Sequence, residues 1–185
     1  MMFAAATFTA AGRVEAKGDW PWIAIGLGGG VVPVLAVIFG SRVAPVSGPA
    51  IIPIAGIIIG GSMTAHTLTA RRAFDTIRSD RGLVEAGLAL GMPRPLAIAK
   101  VIGRYAPEAV TPIIDQTRTV GLVTLPGAFV GVLLGGGSPA QAAAAQVLVL
   151  VGLLAAEILV VVGSQRLIAG GRIMPADIRS TLPPD

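Results

Sequence analysis

The polar side chains that could do chemistry stand out in this chain because long apolar segments surround them. One group recurs at helical spacing: Arg104, Glu108, Thr111, Asp115 and Arg118. Steps of four, three, four and three residues place this polar stripe on one face of an α-helix. Its acidic and basic side chains could form ion pairs along the helix, such as Arg104 with Glu108. The stripe fits a water-lined transport path or a structural ladder of charges, and the mixed signs favour the ladder.

A second group could bind a cation. Glu157 interrupts an apolar segment, where a carboxylate at mid-membrane costs about 2.5 to 3.5 kcal/mol. It either faces the interior of a helix bundle or lies close enough to one end to reach the aqueous interface, and both positions fit the sequence. Met63 and His66 are three residues apart on one helix face. They do not complete a transition-metal site, so a hydrogen-bonded structural role is favoured for His66 and the metal ligands stay unknown.

The sequence has no pattern typical of an enzyme. It contains no cysteine, which excludes thiolate metal sites and cysteine nucleophiles. It also lacks the G-x-x-x-x-G-K-[ST] phosphate loop, the H-E-x-x-H zinc motif and a Ser, His and Asp constellation for hydrolysis. We therefore expect no catalytic residues and no cofactor in this chain. Its basic residues are not interleaved with aromatic ones, so nucleic acid is not an expected partner.

The elements that must position these side chains are membrane-spanning helices. The 185 residues are 54% hydrophobic and 13% charged, with a mean hydropathy of +0.80. Uncharged runs cover residues 20–41, 43–70 and 119–156, and a helix of about 20 apolar residues crosses the hydrocarbon core. The third run must turn, since one helix of its length would extend for about 57 Å. "GGGSPA" supplies the turn, with Ser138, Pro139 and Gln141 as helix cap, first residue and capping-box partner.

We therefore predict an all-α, polytopic transmembrane helix bundle. It has about four spans, near 20–40, 49–70, 119–136 and 139–165, in a single domain of residues 1–170. The pair Gly56 and Gly60 fits either a close helix contact or a glycine-rich composition, whereas the row Gly127, Gly131 and Gly135 is predicted to form a packed seam. Gly121, Pro126 and Gly127 offer a hinge at which the third span could bend.

Charge sets the predicted orientation. Seven of the 14 Lys and Arg residues lie between residues 71 and 104, so this loop is predicted to be cytoplasmic. An even number of spans then places both termini in the cytoplasm, with residues 171–185 as a tail. We predict a multi-pass protein of the cell's inner or plasma membrane.

The cytoplasmic loop contains a short predicted helix at about 80–92. Asp80 can cap its start, Gly91 can cap its end, and Pro93 prevents it from continuing. Eleven residues extend for only about 16 Å, so this helix should lie along the membrane surface. Gly87 lacks a side chain and lets another structure approach closely. By itself the segment also fits an amphipathic interfacial helix without a partner.

Several motifs resemble those of ABC-transporter permeases. "EAGLALG", residues 85–91, resembles the EAA loop of these permeases, whose coupling helix docks on a cytosolic ATPase. "IIPIAGIIIGGSMT", "LALGMPRPLA", "PIIDQTRTVGLVTLPG" and "GGSPAQAAAAQ" resemble, in order and spacing, the FetB-like iron-export permeases, to which the plant aluminium-sensitivity permeases are related. The resemblance covers about residues 3–168.

The resemblance implies a permease subunit that exports iron or another metal ion. A separate cytosolic ABC ATPase would bind ATP and Mg²⁺, and the permease would pair with a second copy in the lipid bilayer. The residues it assigns to ATPase coupling are Leu83, Glu85, Ala86, Gly87, Leu90 and Gly91. The alternative is a small integral membrane protein outside the ABC class, a secondary carrier or scaffold with an interfacial amphipathic loop.

The sequence departs from the family pattern in two respects. Ile57, Ala128 and Phe129 stand where the family often has methionine, and Gly61 where it has asparagine, which removes soft and amide ligands. Family members also carry further spans before the point at which this chain begins. "MMFAAATFTAAG" reads as the end of a helix whose beginning is missing, so we expect an N-terminally truncated chain.

Overall fold

The computed structural model describes residues 1–40, 48–112, 114–115, 127–134 and 136–181. Within these ranges the chain is helical and contains no β-strand, which confirms the predicted all-α fold class. The α-helices are α1 (Met2–Arg13), α2 (Trp20–Gly40), α3 (Gly48–Ser79), α4 (Arg81–Ala89), α5 (Arg94–Ile102), α6 (Gly127–Leu134), α7 (Pro139–Ala169) and α8 (Ala176–Thr181). Two 3₁₀-helices, Lys17–Asp19 and Gly103–Val110, precede α2 and follow α5.

Three helices among the described residues are long and apolar enough to cross a membrane. They cover Lys17–Gly40, Ile51–Ser79 and Pro139–Ala169, and an 18-residue window in each has a mean hydropathy of 2.3, 1.6 and 2.6, respectively. The helix α3 is longer than the predicted span 49–70, because it continues through the first part of the predicted loop to Ser79. Its 32 residues extend for about 48 Å, enough to cross the hydrocarbon core and emerge from it.

The contacts of α7 give the direction of each long helix. Gly30 of α2 lies against Val160 and Gly26 against Leu167, so α2 and α7 run antiparallel. On the other side, Gly61 of α3 lies against Leu153 and His66 bonds to Ser164, so α3 and α7 run parallel. The chain must therefore return from one end of the bundle to the other between Ser79 and Pro139. The predicted third span lies on this path, and α6 and Gly136 are the parts of that span that the structure describes.

Glycines allow the backbones of α2 and α7 to approach closely. A Cβ atom on Gly30 would lie 2.5 Å from Val160 Cγ2 and 2.6 Å from the carbonyl oxygen of Ala156. The pair Gly56 and Gly60 makes no such contact among the described residues, where a Cβ atom on Gly60 would meet nothing within 4 Å. Because α3 is apolar around much of its circumference, glycine spacing alone does not identify its packed face.

Two other predicted glycine features fall outside what the structure describes. The side-chain surroundings of Gly127 and Gly131 are not described, nor is Gly135. Gly121 and Pro126 of the predicted hinge also lie outside the described residues, and Gly127 is the first residue of α6.

A hydrophobic core lies at the end of the bundle where α3 and α7 finish. This end is here called the charged end. Its buried side chains come from α1 to α5, from α7 and from the segment after α7, and include Ile98, Ile168, Ile173 and Ile178. Ion pairs fasten the last segment to the bundle, from Arg179 to Asp19 at 3.0 Å and from Arg78 to Asp177 at 2.9 Å. Residues 171–181 of the predicted tail are thus packed against the helices, while the division into domains stays a prediction.

The segment "MMFAAATFTAAG" belongs to α1, which runs parallel to α3. Met2 lies beside Gly56, and the Nε of Arg71 donates a hydrogen bond to the carbonyl oxygen of Arg13 at 3.2 Å. After α1 ends at Arg13, Glu15 adopts a left-handed conformation with φ 57°. It contributes Ala10 and Ala11 to the core of the charged end.

Candidate functional site

The helix α4 occupies the position predicted for the coupling helix, with well-defined ends. It runs from Arg81 to Ala89 and finishes at Gly91, whose φ of +80° suits glycine. The amide of Gly91 donates to the carbonyl of Leu88 at 2.9 Å, and the amide of Met92 donates to the carbonyl of Gly87 at 3.0 Å. This is the Schellman arrangement, so the predicted glycine cap is confirmed.

The start of α4 differs from the sequence-based prediction. Asp80 occupies the capping position, but its side chain makes no capping hydrogen bond. Its backbone has φ −108° and ψ 30°, outside the extended region that directs a capping side chain at the following amides.

The two faces of α4 have different environments. Val84 and Gly87 are buried, and a Cβ atom on Gly87 would lie 3.2 Å from the Cβ of Ala97 in α5. The structure that approaches Gly87 is therefore α5 of the same chain. Gly87 thus takes part in an internal contact, and the ATPase-coupling role assigned to it stays a prediction.

The outward face of α4 is apolar. Leu83 is 48% exposed, Leu90 is 79% exposed, and Ala86 lies between them at helical spacing. Glu85 and Gly91 are exposed as well. Glu85 Oε1 accepts a hydrogen bond from Arg81 Nε at 2.7 Å, and a half-exposed pair of this kind contributes little to stability. Exposed leucines on a short capped helix are the main feature that a partner could recognise.

The predicted polar stripe does not form one helical face. Residues 103–110 form a 3₁₀-helix that contains Pro107, and three residues per turn rotate Glu108 away from Arg104. Glu108 instead pairs with Arg72 of α3 at 2.9 Å, which replaces the predicted partner. Thr111 Oγ1 donates to the carbonyl of Pro107 at 3.3 Å. Asp115 is exposed, and Arg118 lies outside the described residues.

A polar contact between α3 and α7 lies inside the bundle. His66 Nδ1 and Ser164 Oγ are 2.7 Å apart, and both residues have no exposed surface. His66 Nε2 and Ser62 Oγ are also buried, and neither has a hydrogen-bond partner among the described residues. Buried polar atoms normally have partners, so this pair marks a place where a further polar group would be stabilised. Sequence spacing could not reveal the contact, because its partners are 98 residues apart.

Glu157 precedes Ser164 by about two helical turns, on the same side of α7. It is 7% exposed, and its Oε1 would be 2.6 Å from a Cβ atom placed on Gly61. The sequence left Glu157 either in the interior of the bundle or near the aqueous interface, and the structure has it in the interior. Gly61, which stands where the family pattern has asparagine, leaves the space that the carboxylate uses.

Metal-ligating residues do not cluster in the part of the chain that the structure describes. No group of three or more His, Cys, Asp or Glu side chains could hold a metal ion there. Met63 is partly buried and packs against the core of the charged end, while His66 bonds to Ser164. The assignment of metal ligands stays a prediction.

Comparison with known proteins identifies the family. Residues 1–170 match the profile of the Uncharacterised protein family (UPF0014). The chain belongs to this family. Among UPF0014 relatives it is 36% identical over 127 residues to "UPF0014 membrane protein STAR2" of Oryza sativa subsp. japonica, covering 69% of this chain and 45% of that protein. It is 38% identical over 99 residues to "Protein ALUMINUM SENSITIVE 3" of Arabidopsis thaliana, covering 54% of this chain and 36% of that protein.

A bacterial UPF0014 relative carries a functional name. The chain is 33% identical over 129 residues to "Probable iron export permease protein FetB" of Escherichia coli K12, covering 69% of this chain and 49% of that protein. The matched part thus spans about half the length of these curated relatives or less. No solved structure matches the chain. The resemblance read from the sequence motifs is confirmed: this is a UPF0014 membrane protein with transmembrane helices.

Proposed function

We propose that the chain is the membrane-spanning permease subunit of an ATP-driven transporter of the ABC type. The energy would come from ATP and Mg²⁺ bound to a separate cytosolic ATPase, and two copies of the permease would form the transport unit. The proposed cargo is iron or another metal ion, exported across the inner or plasma membrane. The name of the FetB relative supports this cargo, and UPF0014 membership supports a transport role.

The observation that carries the proposal is the outward apolar face of α4. Leu83, Ala86 and Leu90 are exposed at the charged end, beyond the long apolar spans. Exposed apolar side chains in line on one helix are typical of a helix that inserts into a groove on another protein. The glycine cap ends α4 as a short helix distinct from α5, with its inward face packed against the bundle.

The inward face of α4 offers a route for movement. Gly87 contacts Ala97, and the next residue of α5, Ile98, is completely buried in the core of the charged end. This core also contains Ile168 of α7 and Phe74 of α3. Closure of the ATPase would displace α4, and close packing would pass the displacement through α5 to both long helices.

The proposed cargo path uses the polar interior between α3 and α7. Glu157 is the one carboxylate among the buried side chains that the structure describes. His66 and Ser62 contribute polar atoms without partners in the described part of the chain. These groups could give a cation transient ligands as α3 and α7 separate.

The test places a charge on the exposed face of α4. Burying a leucine in an interface is worth about 1.5 to 3 kcal/mol, so Leu90→Glu should weaken the complex with the ATPase about tenfold or more. The matched control is Leu96→Glu, since Leu96 is 48% exposed on the neighbouring α5. The measurements are co-purification of an ATPase with the full chain and iron-stimulated ATP hydrolysis in proteoliposomes.

The two outcomes separate the proposal from its alternative. Loss of the ATPase with Leu90→Glu but not with Leu96→Glu supports docking at α4. Equal recovery with both variants contradicts the coupling-helix assignment. A native complex that contains no ATPase favours a secondary carrier or scaffold, in which Leu83 and Leu90 rest in the membrane interface.

A further inference from the structure

A groove lies between α5 and the last turns of α7, away from the outward face of α4. Its volume is about 350 Å³. One wall is the row Pro95, Ala99 and Ile102 of α5, and the other includes Val162 and Arg166 of α7. Small and apolar side chains line most of the groove, so it suits the apolar part of a ligand.

The apolar wall of the groove continues along α7 toward the middle of the bundle. Val162 is 41% exposed, Ile158 and Leu159 are each 45% exposed, and Val151 is 62% exposed. In a helix long enough to cross a membrane, such a face is suited to contact acyl chains. A ligand in the groove could therefore extend along α7 within the hydrocarbon region.

The far end of the groove is basic. Arg166 lies in the last turn of α7 and is exposed, and among the described residues its guanidinium has no ion pair. Gln165 stands beside it in the lining and can donate a hydrogen bond. The groove thus joins an apolar channel to an uncompensated positive charge.

The neighbouring aromatic residues place this end at the membrane interface. The guanidinium of Arg172 stacks over the ring of Trp22, 4.2 Å from its centroid, directly after α7 ends. Trp20 is 45% exposed and packs against Phe8. Tryptophans are enriched at the level of lipid headgroups, so Arg166 lies near the depth at which phosphates occur.

We propose that this groove binds one anionic glycerophospholipid from the leaflet at the charged end. The headgroup phosphate bonds to Arg166 and Gln165, and the glycerol and the start of an acyl chain occupy the space beside Ala99. Basic pockets between transmembrane helices recognise anionic headgroups in this way, through charge and bidentate hydrogen bonds. The lipid would join α5 to α7 independently of any ATPase.

The test is native mass spectrometry of the full purified chain titrated with palmitoyl-oleoyl phosphatidylglycerol or the matching phosphatidylcholine. One well-placed arginine near a membrane surface is worth about fivefold in affinity, so the wild-type protein should prefer phosphatidylglycerol by about that factor. Arg166→Gln should abolish the preference. Arg13→Gln is the matched control, since Arg13 is exposed at the same end on α1, outside the groove, and this change should leave the preference intact.

A second variant tests the position of the lipid. Ala99→Trp fills the groove without changing its charge and should weaken the binding of both lipids. If the tryptophan variant does not fold, Ala99→Leu takes its place. Equal preferences in Arg166→Gln and Arg13→Gln would overturn the proposal, as would unchanged binding in the groove-filling variant. Displacement of phosphatidylglycerol by excess inorganic phosphate would also overturn it, because the ligand would then be a free phosphate.

Discussion

Gly30 is the position where the packing of α2 against α7 can be tested most directly. A Cβ atom there would be 2.6 Å from the carbonyl oxygen of Ala156, about 0.8 Å short of ordinary contact, which begins at 3.4 Å. The obstacle is backbone, so a change of rotamer cannot relieve it. Gly30→Ala must therefore separate the two helices or bend one of them, and overpacking of this kind costs typically 1 to 3 kcal/mol. We expect the upper part of this range.

The matched control for Gly30→Ala is Gly29→Ala on the same helix. Within the described part of the chain a Cβ atom on Gly29 meets nothing within 4 Å, so this change adds a methyl group without a clash there. At about 2 to 4 °C per kcal/mol for a protein of this size, Gly30→Ala should lower the melting temperature by about 4 to 12 °C. The assay is thermal unfolding of the detergent-solubilised full chain, followed by size-exclusion chromatography.

A compensating substitution distinguishes the two neighbours of Gly30. Val160→Ala removes the methyl group that lies 2.5 Å from the added Cβ, but it leaves the carbonyl of Ala156 in place. The double variant should recover only part of the lost stability. Equal melting temperatures for Gly30→Ala and Gly29→Ala would refute the close approach of α2 and α7.

Two further predictions concern polar contacts. Ser164→Ala leaves His66 Nδ1 buried without its partner and should lower the free energy of unfolding by about 1 to 3 kcal/mol, measured by thermal unfolding. The control Ser180→Ala changes an exposed site and should have little effect. Equal losses of stability in the two variants would contradict the buried bond. The hydrogen bond from Arg78 lowers the pKa of Asp177 below its ordinary 3.8, so the stabilisation is present above that pH and is lost as the pH falls through the lowered pKa. Asp177→Asn should therefore lower the melting temperature slightly at neutral pH and leave it unchanged once the wild-type carboxylate is protonated; a difference that persists in acid would contradict this origin.

Local signals in the sequence predicted local structure well. The capping box at the start of α7 is present as predicted: Gln141 N donates to Ser138 Oγ at 3.2 Å, and Ser138 N donates to Gln141 Oε1 at 2.9 Å. The cap at Gly91 is present too. Both depend on residues within a few positions of one another, so the sequence contains all the necessary information.

Features that depend on a distant partner were not predictable in the same way. The sequence indicated that α3 is apolar and rich in glycine, but only the position of α7 decides that Gly61 is packed and Gly60 is not. The bond from His66 to Ser164 and the pair of Arg72 with Glu108 likewise join separate helices. One signal was available and was missed, since Pro107 within the polar stripe disfavours a regular α-helix there.

The short helix α5 lies between α4 and the end of α7, so it can link the outward face of α4 to the polar contact between α3 and α7. Its Ala97 meets α4 at Gly87, and its Ile98, Val101 and Ile102 are buried in the core that also holds the end of α7. Because this core is closely packed, the displacement of α4 in the proposed transporter would not be absorbed locally and would shift α5 against α7. The shift would act on α7 close to Ser164, so the buried bond to His66 is the first contact between the spans expected to feel it. A lipid held between α5 and α7 would stiffen the same link, so in the proposed transporter membrane composition would act on this link at the groove, away from α4.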